Sequence, residues 1–159
     1  MSLILDGTAG VTGPATKVIV GTTTNDSATG GYAGEYVESI VGPVNFPTSS
    51  QYGDMTSISL TAGDWDVSAT ALAATGGATM VAWSLGISTT SGNSQTGLVV
   101  ASNWMANVIP ASATANQVTA IPNYRVSLSG TTTVYLKFEA NFSVSTPAAY
   151  GRISARRVR

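Results

Sequence analysis

Apolar and polar residues alternate along residues 133–144. Successive side chains of a β-strand point to opposite faces, so a period of two over this length predicts one long, half-buried strand. One face must lie on a core, and the other must face water or a neighbouring chain. The predicted core positions are Val134, Leu136, Phe138, Ala140, Phe142 and Val144.

Seven further stretches have the composition or alternation of strands, and turn residues separate most of them. Trp65 and Trp83 fall on the apolar faces of two of these strands, with Val81 beside Trp83, so all three are predicted core residues. Pro122 cannot donate a ladder hydrogen bond, so its strand is predicted to lie at a sheet edge or to contain a bulge. The predicted ranges are 36–41, 57–60, 65–73, 80–88, 98–109, 118–128 and 150–158.

The residues between these strands predict where the chain turns. Gly42-Pro43 is predicted to end the first strand, residues 111–116 to form a loop, and residues 129–132 to form a hairpin into the 133–144 strand. About eight strands without a helix predict an all-β fold, an antiparallel and jelly-roll-like β-sandwich. In that topology the first and last strands are often neighbours.

Residues 1–31 differ from the rest of the chain. They are rich in Gly, Thr and Ser and contain only two small apolar clusters, at 3–5 and 18–20, with a short strand candidate at 17–20. Such a segment buries little surface by itself, so it is predicted to be an extended N-terminal arm that orders against another chain. For the first fifteen residues, a mobile terminus is the alternative. The β-sandwich domain is predicted to span residues 32–159.

The composition of the chain mainly excludes several kinds of functional site. Charged residues are only 9% of the chain, whereas Ser and Thr supply 41 residues and hydrophobic residues 43%, which is enough for a core. The chain has no cysteine and no histidine, which excludes disulfides, zinc sites with Cys or His ligands, and Ser-His or Cys-His nucleophile pairs. We therefore predict no cofactor. Apolar runs are too short for a membrane span, and residues 1–6 lack the basic region of a signal peptide.

Charges are divided between the two halves of the chain. Most acids precede Val67 and most bases follow it. We interpret this as early and late strands that lie side by side and pair their charges, with Glu35 and Glu38 facing Arg152 and Arg156 within or between subunits. Nucleic-acid binding through the basic C-terminal tail is the alternative.

Three acids are the only candidates for catalysis. Asp64 and Asp66 lie on one face of a predicted strand, with Asp54 not far before them. The two acids of a glycosidase flank the sugar from opposite sides of a cleft, which neighbours on one strand face cannot do. Their spacing also matches no strong calcium-loop motif. We interpret them as solvated acids at a turn and predict that the protein is not an enzyme.

Two aromatic residues are candidates for surface contact. Trp104 is next to Met105 in a predicted strand, so the two large side chains must face opposite ways. Tyr52 lies in a predicted loop, although Phe46 and Tyr52 are also expected to hold that loop to the body. An exposed aromatic side chain is more often part of a protein interface than of a ligand site. A saccharide that stacks on these rings is the alternative.

Several short motifs resemble small knob domains of tailed-bacteriophage structural proteins. Ser57-Ile-Ser-Leu-Thr-Ala-Gly-Asp-Trp-Asp-Val-Ser-Ala is similar to their strand-turn-strand pattern LxxGxWxVxA. Gly86-Ile-Ser-Thr-Thr-Ser-Gly-Asn and the closing Tyr150-Gly-Arg-Ile-Ser-Ala-Arg-Arg-Val-Arg are similar to the same group. Leu5-Asp-Gly-Thr-Ala-Gly-Val-Thr resembles the linkers that precede such knobs. The resemblance covers most of residues 5–159.

This resemblance implies a non-enzymatic virion protein, a homotrimeric knob of a tail or short fibre that contacts the host surface. It implies contact with other virion proteins through the N-terminal arm. Capsid decoration is one alternative, and a carbohydrate-binding module for surface glycans is a second. The resemblance makes the polar face of the 133–144 strand, with Tyr135, Lys137 and Glu139, a candidate subunit contact.

Overall fold

The structure is a computed structural model that describes residues 4–6, 10–12, 27–113 and 115–159, with the backbone alone at 4–6, 10–12 and 109–113. The described residues form strands and no helix. The strands are β1 (Ile4–Asp6), β2 (Gly10–Thr12), β3 (Tyr36–Asn45), β4 (Gly53–Leu60), β5 (Gly63–Ala74), β6 (Thr79–Ser88), β7 (Trp104–Ala113), β8 (Gln117–Leu128), β9 (Thr132–Ser143) and β10 (Ala148–Arg157).

Eight of these strands form two antiparallel sheets that pack face to face. The first sheet has the order β3-β10-β5-β8, and the second sheet has the order β4-β9-β6-β7. The strands from β3 to β10 alternate between the sheets except at β6 and β7, and β3 lies beside β10. This is the order of a jelly roll, so the predicted all-β sandwich is confirmed. Most of the predicted 1–31 arm, including 17–20, lies outside the described residues; β1 and β2 pair with each other.

The core lies between the two sheets, and β9 occupies the middle of the second sheet. Its apolar positions Val134, Leu136, Phe138 and Ala140 are at most 1% exposed, as predicted. Phe46, from the loop after β3, packs on Phe138 with ring centroids 4.6 Å apart. Trp65 and Trp83 are also buried, as predicted. Other buried apolar side chains of the strands include Ile58, Leu60, Val67, Leu85, Ile87, Val126 and Ile153.

The predicted hairpin at residues 129–132 is wrong. β8 lies at the edge of the first sheet, and β9 pairs with β4 and β6 in the second sheet. The connection therefore crosses from one sheet to the other. Turn residues show that the chain reverses direction, but they do not show which strand the next strand pairs with.

Two predicted core positions lie outside the core. Val81 is 38% exposed because the β6 register shifts between Met80 and Ala82, and this bulge moves the buried position to Met80. Val144 is 90% exposed because β9 ends at Ser143 and the next residue turns the chain with a φ of 77°. The alternation of the sequence predicts that both side chains are buried. At each position a local irregularity of the backbone turns the side chain away from the core.

Strand boundaries also differ at two places. β3 continues through Gly42-Pro43 to Asn45, because a register shift opposite this point in β10 accommodates the pair. Gly42 is required there, since a Cβ would lie 2.5 Å from the Tyr150 ring. β7 begins only at Trp104 and extends to Ala113, through part of the predicted 111–116 loop.

Hydrogen bonds between the sheets close both open sides of the sandwich. Ser39 of β3 and Thr56 of β4 share a hydroxyl hydrogen bond of 2.6 Å. On the other side the Asn107 amide of β7 donates to the Thr119 hydroxyl of β8. β8 is an edge strand whose register shifts near Pro122, so both predictions for this proline are confirmed.

Candidate interaction surfaces

The outer face of the first sheet is centred on β10. Arg152 and Arg156 point outward, as predicted. The strand register places three zones along this face. These are a charged end around Arg156, a row of small hydroxyl residues around Ser154, and an apolar end around Tyr150.

The predicted pairing of Glu38 with Arg152 is confirmed, and it occurs within one chain. Arg152 Nε donates to the Glu38 carboxylate at 2.9 Å, and both side chains are about half exposed. The Tyr36 hydroxyl donates to the same carboxylate at 2.9 Å and accepts a hydrogen bond from Arg152 Nη2. These bonds from Tyr36 and Arg152 lower the pKa of Glu38. Because the pair is exposed, its effect on stability is small.

Glu35 pairs with Arg157 instead of the predicted Arg152 or Arg156. Arg157 Nε donates to the Glu35 carboxylate at 2.9 Å, and the Gly31 N–H donates to it at 2.7 Å. These two donors lower the pKa of Glu35. The Arg157 side chain is only 4% exposed, because its guanidinium lies 4.3 Å from the Trp65 ring centroid at the end of the core.

Asp64 carries the most strongly shifted carboxyl group. Arg125 Nη2 donates to both of its oxygens at 3.0 Å, and Arg159 also pairs with it. Hydrogen bonds from Arg125, Ser127 and Arg159 lower the pKa of Asp64 to about 2. The carboxylate is thus an ion-pair partner and not a solvated acid at a turn, which corrects the interpretation of this residue from the sequence.

The variant Asp64→Asn is expected to make stability less sensitive to acid. The pKa of folded Asp64 is about 2 and its usual value is 3.8. Its ion pairs therefore contribute stability that is complete well above the usual pKa and is lost as the pH falls towards the folded value. Thermal melting over this acidic range should show a shallower loss of Tm for Asp64→Asn than for the wild type.

Asp66→Asn is the matched control for this experiment. Asp66 lies two residues further along β5 and makes no ion pair with any described residue. Its replacement should leave the acid profile as steep as that of the wild type. A profile for Asp64→Asn that coincides with the Asp66→Asn profile would contradict the assignment.

The apolar end of the same face forms a shallow groove of about 570 Å³. Ile40 is 71% exposed, Val118 is 66% exposed and Tyr150 is 45% exposed. These three side chains come from β3, β8 and β10, so the groove crosses the full width of the sheet. The remaining lining residues are Val41, Gly42, Thr70, Ala71, Leu72, Gly151 and Arg152.

The outer face of the second sheet is partly covered by residues 89–97, which we call the 89–97 loop. Lys137 lies beneath it and is completely buried. Its Nζ donates to the Asp54 carboxylate at 2.8 Å and to the carbonyl oxygen of Gly92. The second Asp54 oxygen accepts from the Ser91 hydroxyl at 2.6 Å and the Gly92 N–H at 2.9 Å. The ion pair therefore holds the loop on the sheet.

Tyr52 lies under the same loop, and its assignment to the surface is wrong. It is only 5% exposed. Its hydroxyl shares a hydrogen bond of 3.1 Å with Ser84 and accepts from the Gln95 amide at 3.2 Å. Ser84 in turn donates to the Glu139 carboxylate at 3.0 Å. The alternative expectation, that Tyr52 holds its loop to the body, is confirmed.

The small residues of β6 leave room for close packing on this face. The segment that follows the 89–97 loop occupies this room. Leu98 packs directly over Gly86, where a Cβ would lie 2.6 Å from a Leu98 methyl group. Gly86 is paired with Trp104 on β7. Trp104 is half-buried, and its Nε1 is buried with no acceptor among the described residues.

The candidate subunit contacts therefore lie on two opposite outer faces. The first sheet carries Glu38, Arg152 and Arg156 on its surface. The second sheet carries Tyr135 and Glu139, which are half-buried, whereas Lys137 is engaged under the 89–97 loop. Their role as contacts between subunits stays a prediction.

The sequence did not indicate the exposed apolar groove, nor that the side chains of Arg157 and Lys137 are buried in ion pairs. Ile40 and Val118 were not singled out, although each is a large apolar residue on the face of a strand that also carries polar residues. Arg157 follows Arg156 directly, and the alternation of β10 was a usable signal that the two point to opposite faces. The partner of Lys137 comes from a strand 83 positions away and left no such signal.

The described residues show no cluster of three or more acids that could hold a metal ion. No helix long and apolar enough to cross a membrane occurs among them. A scan against models of protein families finds no match for this chain, and a search among curated proteins finds no matching relative.

Proposed function

We propose that this chain is a structural, non-enzymatic protein of a tailed-bacteriophage virion. In this proposal it forms a homotrimeric jelly-roll knob on a tail or short fibre, and residues 1–31 attach it to other virion proteins. The observation that carries the assembly is the exposed apolar groove on the outer face of the first sheet. The phage assignment is supported by the motifs that resemble phage knob domains.

The groove is an unusual surface for a chain that stays alone. Ile40, Val118 and Tyr150 are all well exposed and line one depression. Apolar patches of this kind, surrounded by polar residues, mark protein interfaces more often than free surface. The neighbouring row of small hydroxyl residues allows a second backbone to approach closely.

The charges beside the groove favour a second copy of the same chain as its occupant. Glu38 and Arg152 form a neutral pair at the groove. At the other end of the face, Asp64 offsets one of the two positive charges of Arg125 and Arg159. An unpaired charge at the contact would lose its water without a partner, whereas a paired charge permits a neighbouring subunit to approach. The chain as a whole has a net charge of only −1.

A ring of three subunits suits two distinct contact faces. In a heterologous interface one face of a subunit meets a different face of the next, and the ring closes when the rotation permits it. We propose that the groove of the first sheet meets a different face of the next subunit in this way around a threefold axis.

The mass in solution tests the assembly. We expect light scattering to give three times the chain mass for the wild type. Ile40→Glu is expected to yield the monomer mass, because it places a charge in the contact without disturbing the core. Val144→Glu is the matched control, since Val144 is 90% exposed and lies outside the groove.

A wild type that remains monomeric at all concentrations would contradict the proposed trimer. An Ile40→Glu variant that keeps the wild-type mass would contradict the groove as the contact. The position on the particle is tested separately by electron microscopy of virions labelled for this protein. Signal at the tail supports the knob, and signal spread over the head supports capsid decoration instead.

A further inference from the structure

A second cavity, of about 400 Å³, lies where β8 of the first sheet passes over to β9 of the second sheet. It is separate from the apolar groove and shares no lining residue with it. Its size falls in the range of about 300–1,000 Å³ that is typical of small-molecule sites. It is formed by the end of β6, the second half of β8, the connection at residues 129–132 and the beginning of β9.

Hydroxyl groups dominate the rim of this cavity. Thr89, Tyr124 and Ser129 line it, and their hydroxyls make no hydrogen bond to another described residue. Thr132 also lines it and donates to the Gly130 carbonyl at 3.1 Å, which leaves its oxygen free to accept. Each hydroxyl both donates and accepts, so the rim matches a ligand that carries several hydroxyls of its own.

The floor of the cavity is apolar and rigid. Val126 is 8% exposed and Leu128 is half-buried, so both present apolar surface to the cavity. Ile87 and Val134 are at most 1% exposed and support this surface from the central core. Tyr124 packs against the same core and presents a half-buried ring to the cavity. A flat, partly apolar ring could therefore pack on this floor while its substituents reach the rim.

The wall formed by β8 supplies main-chain groups as well. β8 is the edge of the first sheet, where it pairs with β5 on one side alone. Alternate N–H and C=O groups of an edge strand point away from the sheet and remain available for a ligand. Such groups form directional hydrogen bonds with ligand hydroxyls.

The charge of the cavity is balanced. Arg125 lies at its margin, and its guanidinium is bound to both oxygens of Asp64 at 3.0 Å. An anionic ligand would have to compete with this carboxylate, whereas a neutral ligand would not. The lining contains no other charged residue.

We infer that this cavity binds a neutral saccharide, with Tyr124 and the apolar floor under the ring and the hydroxyls of Thr89, Ser129 and Thr132 at its edge. This site differs from the saccharide contact expected from the sequence, because Tyr52 is buried and Trp104 is half-buried on the outside of the second sheet. It goes beyond the proposed assembly and does not depend on it.

Saturation-transfer NMR with the full chain tests the inference, with methyl glucoside, methyl galactoside and N-acetylglucosamine as probes. We expect millimolar binding of at least one sugar. Tyr124→Phe, Thr89→Val and Ser129→Ala each remove one hydroxyl with little change in shape, and each should weaken that binding about three- to tenfold. Tyr32→Phe removes a hydroxyl from a side chain that is 67% exposed and does not line the cavity, so it should leave binding unchanged.

Cyclohexanol is the matched ligand control, since it has a ring of similar size with a single hydroxyl. Equal binding of cyclohexanol would show an apolar hole instead of a saccharide site and would overturn the inference. Failure of all three sugars to bind, or equal loss in the Tyr32→Phe variant, would also overturn it. The solution mass is measured independently, so failure of this site leaves the proposed trimer standing.

Discussion

Phe138→Ala is expected to lower the free energy of unfolding by about 3–5 kcal/mol, because it leaves a cavity at the centre of the sandwich. Phe138 is 1% exposed and packs on the ring of Phe46. Its strand pairs on both sides, with β4 and β6, so the surrounding backbone cannot collapse easily into the space. Urea unfolding at one fixed protein concentration measures the loss.

Val144→Ala is the control for this measurement, since it truncates an apolar side chain near the same strand that is 90% exposed. It should change stability by less than about 0.5 kcal/mol. A similar loss in both variants would show that β9 does not lie at the centre of the core.

The second large effect is expected for Asp54→Ala, which should destabilise the protein by about 3 kcal/mol. This change leaves the ammonium of Lys137 buried without its counter-charge, and breaking a buried pair from one side typically costs 3–5 kcal/mol. We expect the lower end of that range, because the Asp54 side chain is 23% exposed and water can reach its place. Urea unfolding again provides the measurement.

The double variant Asp54→Ala/Lys137→Met measures the energetic coupling between the two side chains. It removes both charges and leaves an apolar side chain under the 89–97 loop, so it should recover much of the stability lost by Asp54→Ala alone. Additive losses in the two single variants and the double variant would show that the two side chains are not coupled.

The same pair should respond to acid. Burial acts to raise the pKa of Asp54, but hydrogen bonds from Lys137, Ser91 and the Gly92 N–H together hold it below its usual 3.8. Its contribution to stability is therefore present above the usual pKa and is lost as the pH falls below it. Hydrogen exchange of the 89–97 loop should become faster in that range, and earlier than exchange in β9.

Much of the fold was predictable, because alternation is a local property of the chain. The apolar face of β9 followed from residues 133–144 alone, and Trp65 and Trp83 were placed in the core by the same reasoning. The errors at Val81 and Val144 arise where a bulge or a turn shifts the phase by one residue. A period of two cannot show such a shift, since the side chains themselves give no sign of it.

The candidate sites were less predictable than the core, because they depend on residues far apart in the chain. The pairing of Glu38 with Arg152 was predictable from the neighbouring positions of the first and last strands in a jelly roll. The pairing of Glu35 with Arg157 required knowledge of how the chain end folds over Trp65. The cavity at the β8–β9 connection draws its lining from β6, β8 and β9, which meet only once the sandwich is assembled.

By itself, the sequence determined that this protein is all-β, that β9 is buried along one face, and that chemistry based on histidine or cysteine is absent. These properties depend on residue types and on their local spacing. Only the tertiary structure decided that β8 and β9 belong to different sheets, that Lys137 is buried against Asp54, and that Ile40, Val118 and Tyr150 share one groove. Each of these depends on which distant strands pair, and the free energy of that pairing is a property of the whole sandwich and not of any one segment.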